Sequence, residues 1–217
     1  MEEQEMLRVQ REQQESIEKL HILNRYAEKG QILFVGSSLM EQFPVNEILM
    51  TKGLFYKIYN RGVSGFTTAD MLNHMDTMVF DLEPSRIFIN IGTNDIGAPG
   101  YSEDALLSNY RRILAQIKER LSEAEVYVMA YYPVNETDKL SRCAQGESTF
   151  ANRNNRNIDA ANRRIAGLAA EMGMHYIDVS EGLRDAQGKL KAEFTVEGIH
   201  MYANAYYVIF ENMERYL

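Results

Sequence analysis

The sequence predicts one α/β domain in three layers, a five-stranded parallel sheet held between helices. Three observations carry that expectation. Short apolar runs of strand length occur five times along the 217 residues. Stretches with helical periodicity separate them, and several runs are nearly continuous in apolar character rather than alternating, as strands covered on both faces require.

Residues 1 to about 29 are rich in Glu, Gln, Arg and Lys. Met6, Val9, Ile17, Leu20, Leu23 and Asn24 fall mostly three or four apart, so an amphipathic helical extension, whole or broken in two, is expected to cover one side of the sheet or a subunit interface. Ile32 to Val35 is the first strand, and Gly36 ends it at a sharp turn followed by Ser37, Ser38 and Leu39. A short helix is expected over Phe43–Met50, before Gly53. The second strand is read as Phe55–Asn60, ending in the loop Asn60-Arg61-Gly62-Val63-Ser64-Gly65. Thr67, Thr68 or Asp70 caps a helix that continues through Met71, Leu72, His74 and Met75.

Ser85 to Ile91 is the third strand, with Gly92-Thr93-Asn94-Asp95 at its end. The next helix has Ser102 as N-cap and Glu103 and Asp104 at the positive end of its dipole. Its apolar stripe is Leu106, Leu107, Tyr110, Ile113, Leu114 and Ile117. Val126 to Ala130 is the fourth strand, stopped by Pro133. Residues 133 to 153 form a polar stretch of a length that is usually functional or mobile in a compact domain. A helix over Asn157–Met172 and a fifth strand over Met174–Val179 follow. After an irregular segment that ends at His200, a final helix, Ala203–Leu217, carries Tyr206, Tyr207, Phe210, Met213 and Leu217 on one face. Right-handed crossovers between such strands lead to a flavodoxin-like domain with strand order 2-1-3-4-5, and no repeat or linker divides it.

Composition narrows the partners. The net charge of −8 opposes association with nucleic acid or an anionic membrane surface. The single Cys143 cannot form an internal disulfide and has no neighbour at metal-ligand spacing. The charged N-terminus lacks the apolar segment of a signal peptide, and the longest apolar run, Val126–Tyr132, is far too short to span a bilayer. The reading is a cytoplasmic protein with no membrane insertion. The N-terminal helix and the aromatic-rich last helix offer surfaces on which two copies can pair.

In a parallel sheet the turns after strands one, two and three lie along the same edge, so Ser38, Gly65 and Asn94 converge. Ser38 is a candidate nucleophile, although Gly-Ser-Ser is also an ordinary turn and helix cap. The Ser38 N–H, the Gly65 N–H and the Asn94 side-chain amide can supply three donors to the oxyanion of an ester's tetrahedral intermediate. His200 is the candidate base, because Glu197 three residues upstream can orient its imidazole. His21 and His74 fall inside helices and His175 inside a strand. Arg61, beside the loop of Gly65, either meets an anionic substrate group or is solvated or paired with a surface acid. The sequence has no G-x-S-x-G, no phosphate-binding G-x-x-x-x-G-K-[ST] and no zinc-binding H-E-x-x-H.

The blocks Gly36-Ser37-Ser38-Leu39, Gly65, Gly92-Thr93-Asn94-Asp95 and Glu197-Gly198-Ile199-His200 resemble, in order and spacing, the four signature blocks of the SGNH or GDSL-type esterases and lipases. The resemblance runs from about residue 31 to the C-terminus. NRGVSGFTT and FINIGTNDIG are most similar to small bacterial members that resemble platelet-activating-factor acetylhydrolases and carbohydrate acetylesterases. The resemblance implies Ser38 as nucleophile, His200 as base, and Ser38, Gly65 and Asn94 as the oxyanion hole. Two residues depart from the pattern. Ser37 stands where the family usually has Asp, and Glu197 is one methylene longer than the usual Asp. If Glu197 points elsewhere, a backbone carbonyl can hold His200 in a dyad.

The expected function is a serine esterase, needing no cofactor and no metal, that removes a short acyl group, acetyl above all, from a sugar or small lipid. A broad-specificity lysophospholipase or thioesterase is the nearest alternative. A binding module that lost activity, or a flavin-binding protein on the same fold, are readings from other classes. The polar 133–153 loop is expected to line the substrate pocket.

Overall fold

Alternation along the strands divides the interior into two cores. In β1 (Ile32–Gly36) Leu33 and Val35 face one side of the sheet and Phe34 the other. The same division holds in β3 (Arg86–Asn90), with Ile87 and Ile89 opposite Phe88, and in β4 (Glu125–Met129), with Val126 and Val128 opposite Met129. The molecule, a computed structural model, describes residues 2–137 and 148–217. With β2 (Ile58–Gly62) and β5 (His175–Ile177), the strands form one parallel sheet in the order β2-β1-β3-β4-β5.

The helices account for the two outer layers. α1 (Glu2–Asn24), α4 (Thr68–Asn73), α5 (Met75–Met78), α7 (Glu103–Arg120) and α9 (Asn155–Met172) close the core around Leu33 and Ile87. On the other face lie α2 (Ser38–Glu41), α3 (Val45–Lys52) and α10 (Ala203–Met213). There Phe34 meets Phe88 edge to face at 5.2 Å and Phe43 at 5.5 Å. Ser102 caps α7 as its spacing predicts, and Thr67 makes a reciprocal capping box with Asp70 at the start of α4.

Pairing sets strand limits that composition obscures. Ile58 pairs with Ile32 and Gly62 with Gly36, so β2 runs over Ile58–Gly62 rather than Phe55–Asn60, and Phe55 is 98% exposed. Phe55 and Tyr56 have strand-like side chains but no partner strand beside them. The N-terminal helix is a single α1, unbroken over Glu2–Asn24. Ile17 and Asn24 are buried and Leu20 is half-buried, but Met6, Val9 and Leu23 of the expected stripe are exposed. The last helix ends at Met213 and tightens into a 3₁₀ turn, Glu214–Tyr216. Part of the 133–153 loop is helical, α8 (Ser148–Asn152); residues 138–147, including Cys143, lie outside the described residues. Among the described residues no helix is long and apolar enough to cross a membrane.

Register also prepares the site. Gly36, Gly62 and Asn90 end three neighbouring strands level with one another. Gly62 admits the first turn after β1 against its own strand: a Cβ there would lie 2.2 Å from the Glu41 nitrogen. The turns after β1, β2 and β3 therefore open along one short stretch of sheet edge.

Candidate active site

Ser38 is the first residue of α2 and is buried, behind the extended residue Ser37. His200 reaches it from a loop 162 positions away in sequence, with Nε2 at 2.9 Å from Ser38 Oγ. The other ring nitrogen, Nδ1, lies 2.5 Å from Glu197 Oε1, and the same oxygen accepts the His200 backbone N–H at 3.0 Å. The hydroxyl, imidazole and carboxylate thus form a continuous relay. The methylene that distinguishes Glu from Asp lets the carboxylate curl back over its own turn.

The loop that carries His200 is tied down on both sides. Thr195 Oγ1 donates to the His200 carbonyl at 2.9 Å and accepts the Gly198 N–H at 2.8 Å, while the Gly198 carbonyl accepts the Asn135 N–H at 2.8 Å. An imidazole held this way loses little entropy on forming its two bonds. Burial raises the Glu197 pKa, but hydrogen bonds from the His200 ring and backbone outweigh it, so the carboxyl sits below its ordinary value. At neutral pH Glu197 is an anion and accepts from Nδ1–H, leaving Nε2 to accept from the serine.

The three turns of the sheet edge are bonded to one another. Asn94, in α6 (Thr93–Gly97), donates through Nδ2 to the Phe66 carbonyl at 2.9 Å. Asp95 accepts both the backbone N–H and the hydroxyl of Thr68, joining α6 to the start of α4. The Ser64 hydroxyl donates to Glu41 of α2. Gly65 adopts φ +77, a left-handed conformation that presents its N–H from a tight turn. Neither the Ser38 N–H nor the Gly65 N–H has an acceptor among the described residues. With the second Nδ2 hydrogen of Asn94, these are donors that an oxygen anion can use.

The remaining assignments divide. His21 lies 3.5 Å from Asp81, His74 stacks on Phe66 and His175 on Tyr127, which gives each a structural place. Arg61 does neither thing expected of it. It is 5% exposed, donates from Nε to Asn24 Oδ1 at 2.8 Å and from Nη1 to the Asn60 carbonyl at 2.8 Å, and packs over the Tyr59 ring. Its guanidinium pins α1 to β2, and burial lowers its pKa. The buried Ser37 hydroxyl has no partner among the described residues, so it replaces none of the bonds an Asp would make. Among the described residues no group of His, Cys, Asp and Glu is arranged to hold a metal ion.

Two contacts were invisible in the sequence. Gln13 Nε2 donates to the Ser64 carbonyl at 3.1 Å, bringing α1 onto the Gly65 turn. Arg153 Nη2 donates to Asn94 Oδ1 at 2.8 Å. The only sequence signal for Arg153 was its place in a polar loop next to the sheet edge.

Comparison with known proteins follows the same outline. The GDSL-like Lipase/Acylhydrolase family model matches residues 47–208, a span that holds Gly65, Asn94, Glu197 and His200 and begins after Ser38. A Streptococcus pneumonia protein provisionally described as a platelet activating factor is 27% identical, with 99% of this chain and 96% of that one covered at a TM-score of 0.87. A GDSL-like lipase from Bacteroides thetaiotaomicron is 20% identical, with 92% and 96% covered at a TM-score of 0.75. Axe2, an acetylxylan esterase from Geobacillus stearothermophilus, is 16% identical, with 87% and 94% covered at a TM-score of 0.65. The last two are likenesses of fold. A curated relative, the N-acylneuraminate cytidylyltransferase of Escherichia coli O18:K1:H7, is 21% identical over 188 residues; the chain spans 40% of that protein's length.

Proposed function

Because this chain belongs to the GDSL-like lipase/acylhydrolase family, we propose that it is a serine esterase that hydrolyses short-chain acyl esters, acetyl esters above all, with Ser38 as nucleophile. The observation that carries the reading is the relay from Ser38 Oγ to His200 Nε2 and from His200 Nδ1 to Glu197. His200 takes the Ser38 proton as the hydroxyl oxygen attacks the ester carbonyl. The Ser38 and Gly65 N–H groups and the Asn94 amide receive the oxyanion, and the imidazolium gives its proton to the leaving alcohol. Water then attacks the acyl-serine with His200 as base again. Glu197 holds the tautomer and steadies the imidazolium in both halves of the cycle.

The preference for a small acyl group and a sugar or small lipid alcohol draws on the polar character of the 133–153 loop and on the acetylxylan esterase named among the similar folds. Hydrolysis of p-nitrophenyl acetate by wild type and Ser38→Ala tests the mechanism: a loss of roughly 10³-fold or more in kcat is expected, and equal rates would leave a binding module on an esterase fold. A series of p-nitrophenyl esters of increasing chain length, set beside acetylated sugars, tests the substrate. Highest kcat/KM at long chains would replace the acetylesterase reading with a lysophospholipase or thioesterase.

A further inference from the structure

We infer that Arg153 is a positioning residue, which fixes the orientation of the Asn94 amide and sharpens it as an oxyanion donor. The inference rests on the esterase reading and names a residue outside the four signature blocks. Asn94 sits between two partners of opposite hydrogen-bonding character. The Phe66 carbonyl can only accept, and the Arg153 guanidinium can only donate. The amide has one orientation that satisfies both, with Oδ1 toward Arg153 and Nδ2 toward Phe66. That orientation leaves the second Nδ2 hydrogen for the substrate. Without the arginine only the Phe66 carbonyl would oppose the flipped amide, which would set its carbonyl oxygen among the oxyanion donors.

The arginine is also placed to polarise the amide. A cation on Oδ1 draws electron density from the amide nitrogen and strengthens its N–H as a donor, an effect that grows in a site shielded from water. Burial lowers the Arg153 pKa and the nearby Glu197 carboxylate raises it. Arg153 is thus bonded to Asn94 and within electrostatic reach of Glu197. Its Nε is buried with no partner among the described residues, a cost that a solvated loop arginine would escape by turning outward. The segment around it packs inward too: the Phe150 ring lies against Gly198, where an added Cβ would come within 2.7 Å of it. Gly97 receives the guanidinium at similarly short range.

A double-mutant cycle on p-nitrophenyl acetate, with Arg153→Met, Arg153→Lys, Asn94→Ala and the Arg153→Met/Asn94→Ala pair, tests the role. Arg153→Met is expected to lower kcat roughly 10- to 100-fold with KM within about threefold, and Arg153→Lys to recover part of the loss. Because the arginine acts through Asn94, the pair should be no slower than Asn94→Ala alone. Losses that multiply, a change confined to KM, or wild-type kcat in Arg153→Met would overturn the assignment. Thermal melts of each variant separate these outcomes from misfolding: a variant that melts early yet keeps wild-type kcat at low temperature also overturns it. Ser38→Ala in the same assay keeps the two readings apart. Full activity there removes the esterase mechanism and this role with it, whereas a dead Ser38→Ala beside multiplying losses removes the role of Arg153 alone.

Discussion

One oxygen of Glu197 holds His200 twice: Oε1 lies 2.5 Å from ring Nδ1 and 3.0 Å from the backbone nitrogen of the same residue. The backbone bond supplies the orientation that the extra methylene would otherwise loosen.

Glu197→Gln keeps the size of the side chain and removes the charge. Its amide oxygen can still accept from both Nδ1–H and the His200 backbone N–H, so the tautomer is kept and what is lost is the negative charge that steadies the imidazolium. The expected loss in kcat for p-nitrophenyl acetate is roughly 10²- to 10³-fold. Glu197→Asp keeps the charge at a longer reach and should lose only about tenfold.

The same carboxyl predicts a pH dependence of stability. Its pKa is lower in the folded protein than in the unfolded chain, so its contribution is fully present above the ordinary Glu value and is lost as pH falls through the lowered one. Melting temperatures of wild type and Glu197→Gln should differ most at neutral pH and converge on the acid side, below the ordinary Glu range. A gap that widens on acidification would contradict the direction of the shift.

Ser37 gives a prediction with an unusual sign. Its buried hydroxyl is unpartnered among the described residues, so Ser37→Ala should change stability by less than about 1 kcal/mol, and toward greater stability if at all. Ser37→Asp, the residue usual in the family, would bury a carboxylate where the serine hydroxyl finds no partner among the described residues, and should destabilise by about 3 kcal/mol. Urea midpoints of the two variants test both signs.

Gly65→Ala combines two costs. The left-handed φ of +77 disfavours any side chain by roughly 1–2 kcal/mol. An added Cβ would also lie 2.8 Å from Gln13 Nε2. The second cost is removable, since Gln13 is a flexible neighbour from α1. Gly65→Ala should lower both stability and kcat, and the added substitution Gln13→Ala should recover part of the stability while the backbone strain remains.

Asn24→Ala should destabilise by about 2 kcal/mol, measured by denaturant unfolding. The side chain donates to the Thr77 carbonyl at 2.8 Å and accepts from the buried Arg61 guanidinium, which would be left short of an acceptor. A surface role for Arg61 would make this substitution neutral.

The five strands, their order and the turns that hold Ser38, Gly65 and Asn94 were legible because strand length, apolar runs and glycine turns are local signals. So was the pairing of Glu197 with His200, three residues apart. The second strand was misplaced because Phe55 and Tyr56 carry strand-forming side chains, and only the partner strand shows where pairing begins. Arg61 and Asn24 are 37 positions apart, and nothing in the composition of either segment announces a buried contact between them.

By itself the sequence determined the layered α/β architecture and the chemical groups available at the edge of the sheet, since both follow from periodicity and residue type over short stretches. Tertiary structure alone decided that the Ser38 hydroxyl and the His200 imidazole are 2.9 Å apart, that Arg61 is buried under α1, and that Arg153 stands behind Asn94. These contacts join segments from different parts of the chain. Their geometry depends on how helices pack against the two faces of the sheet, and no local preference encodes that sum of packing and hydrogen bonds.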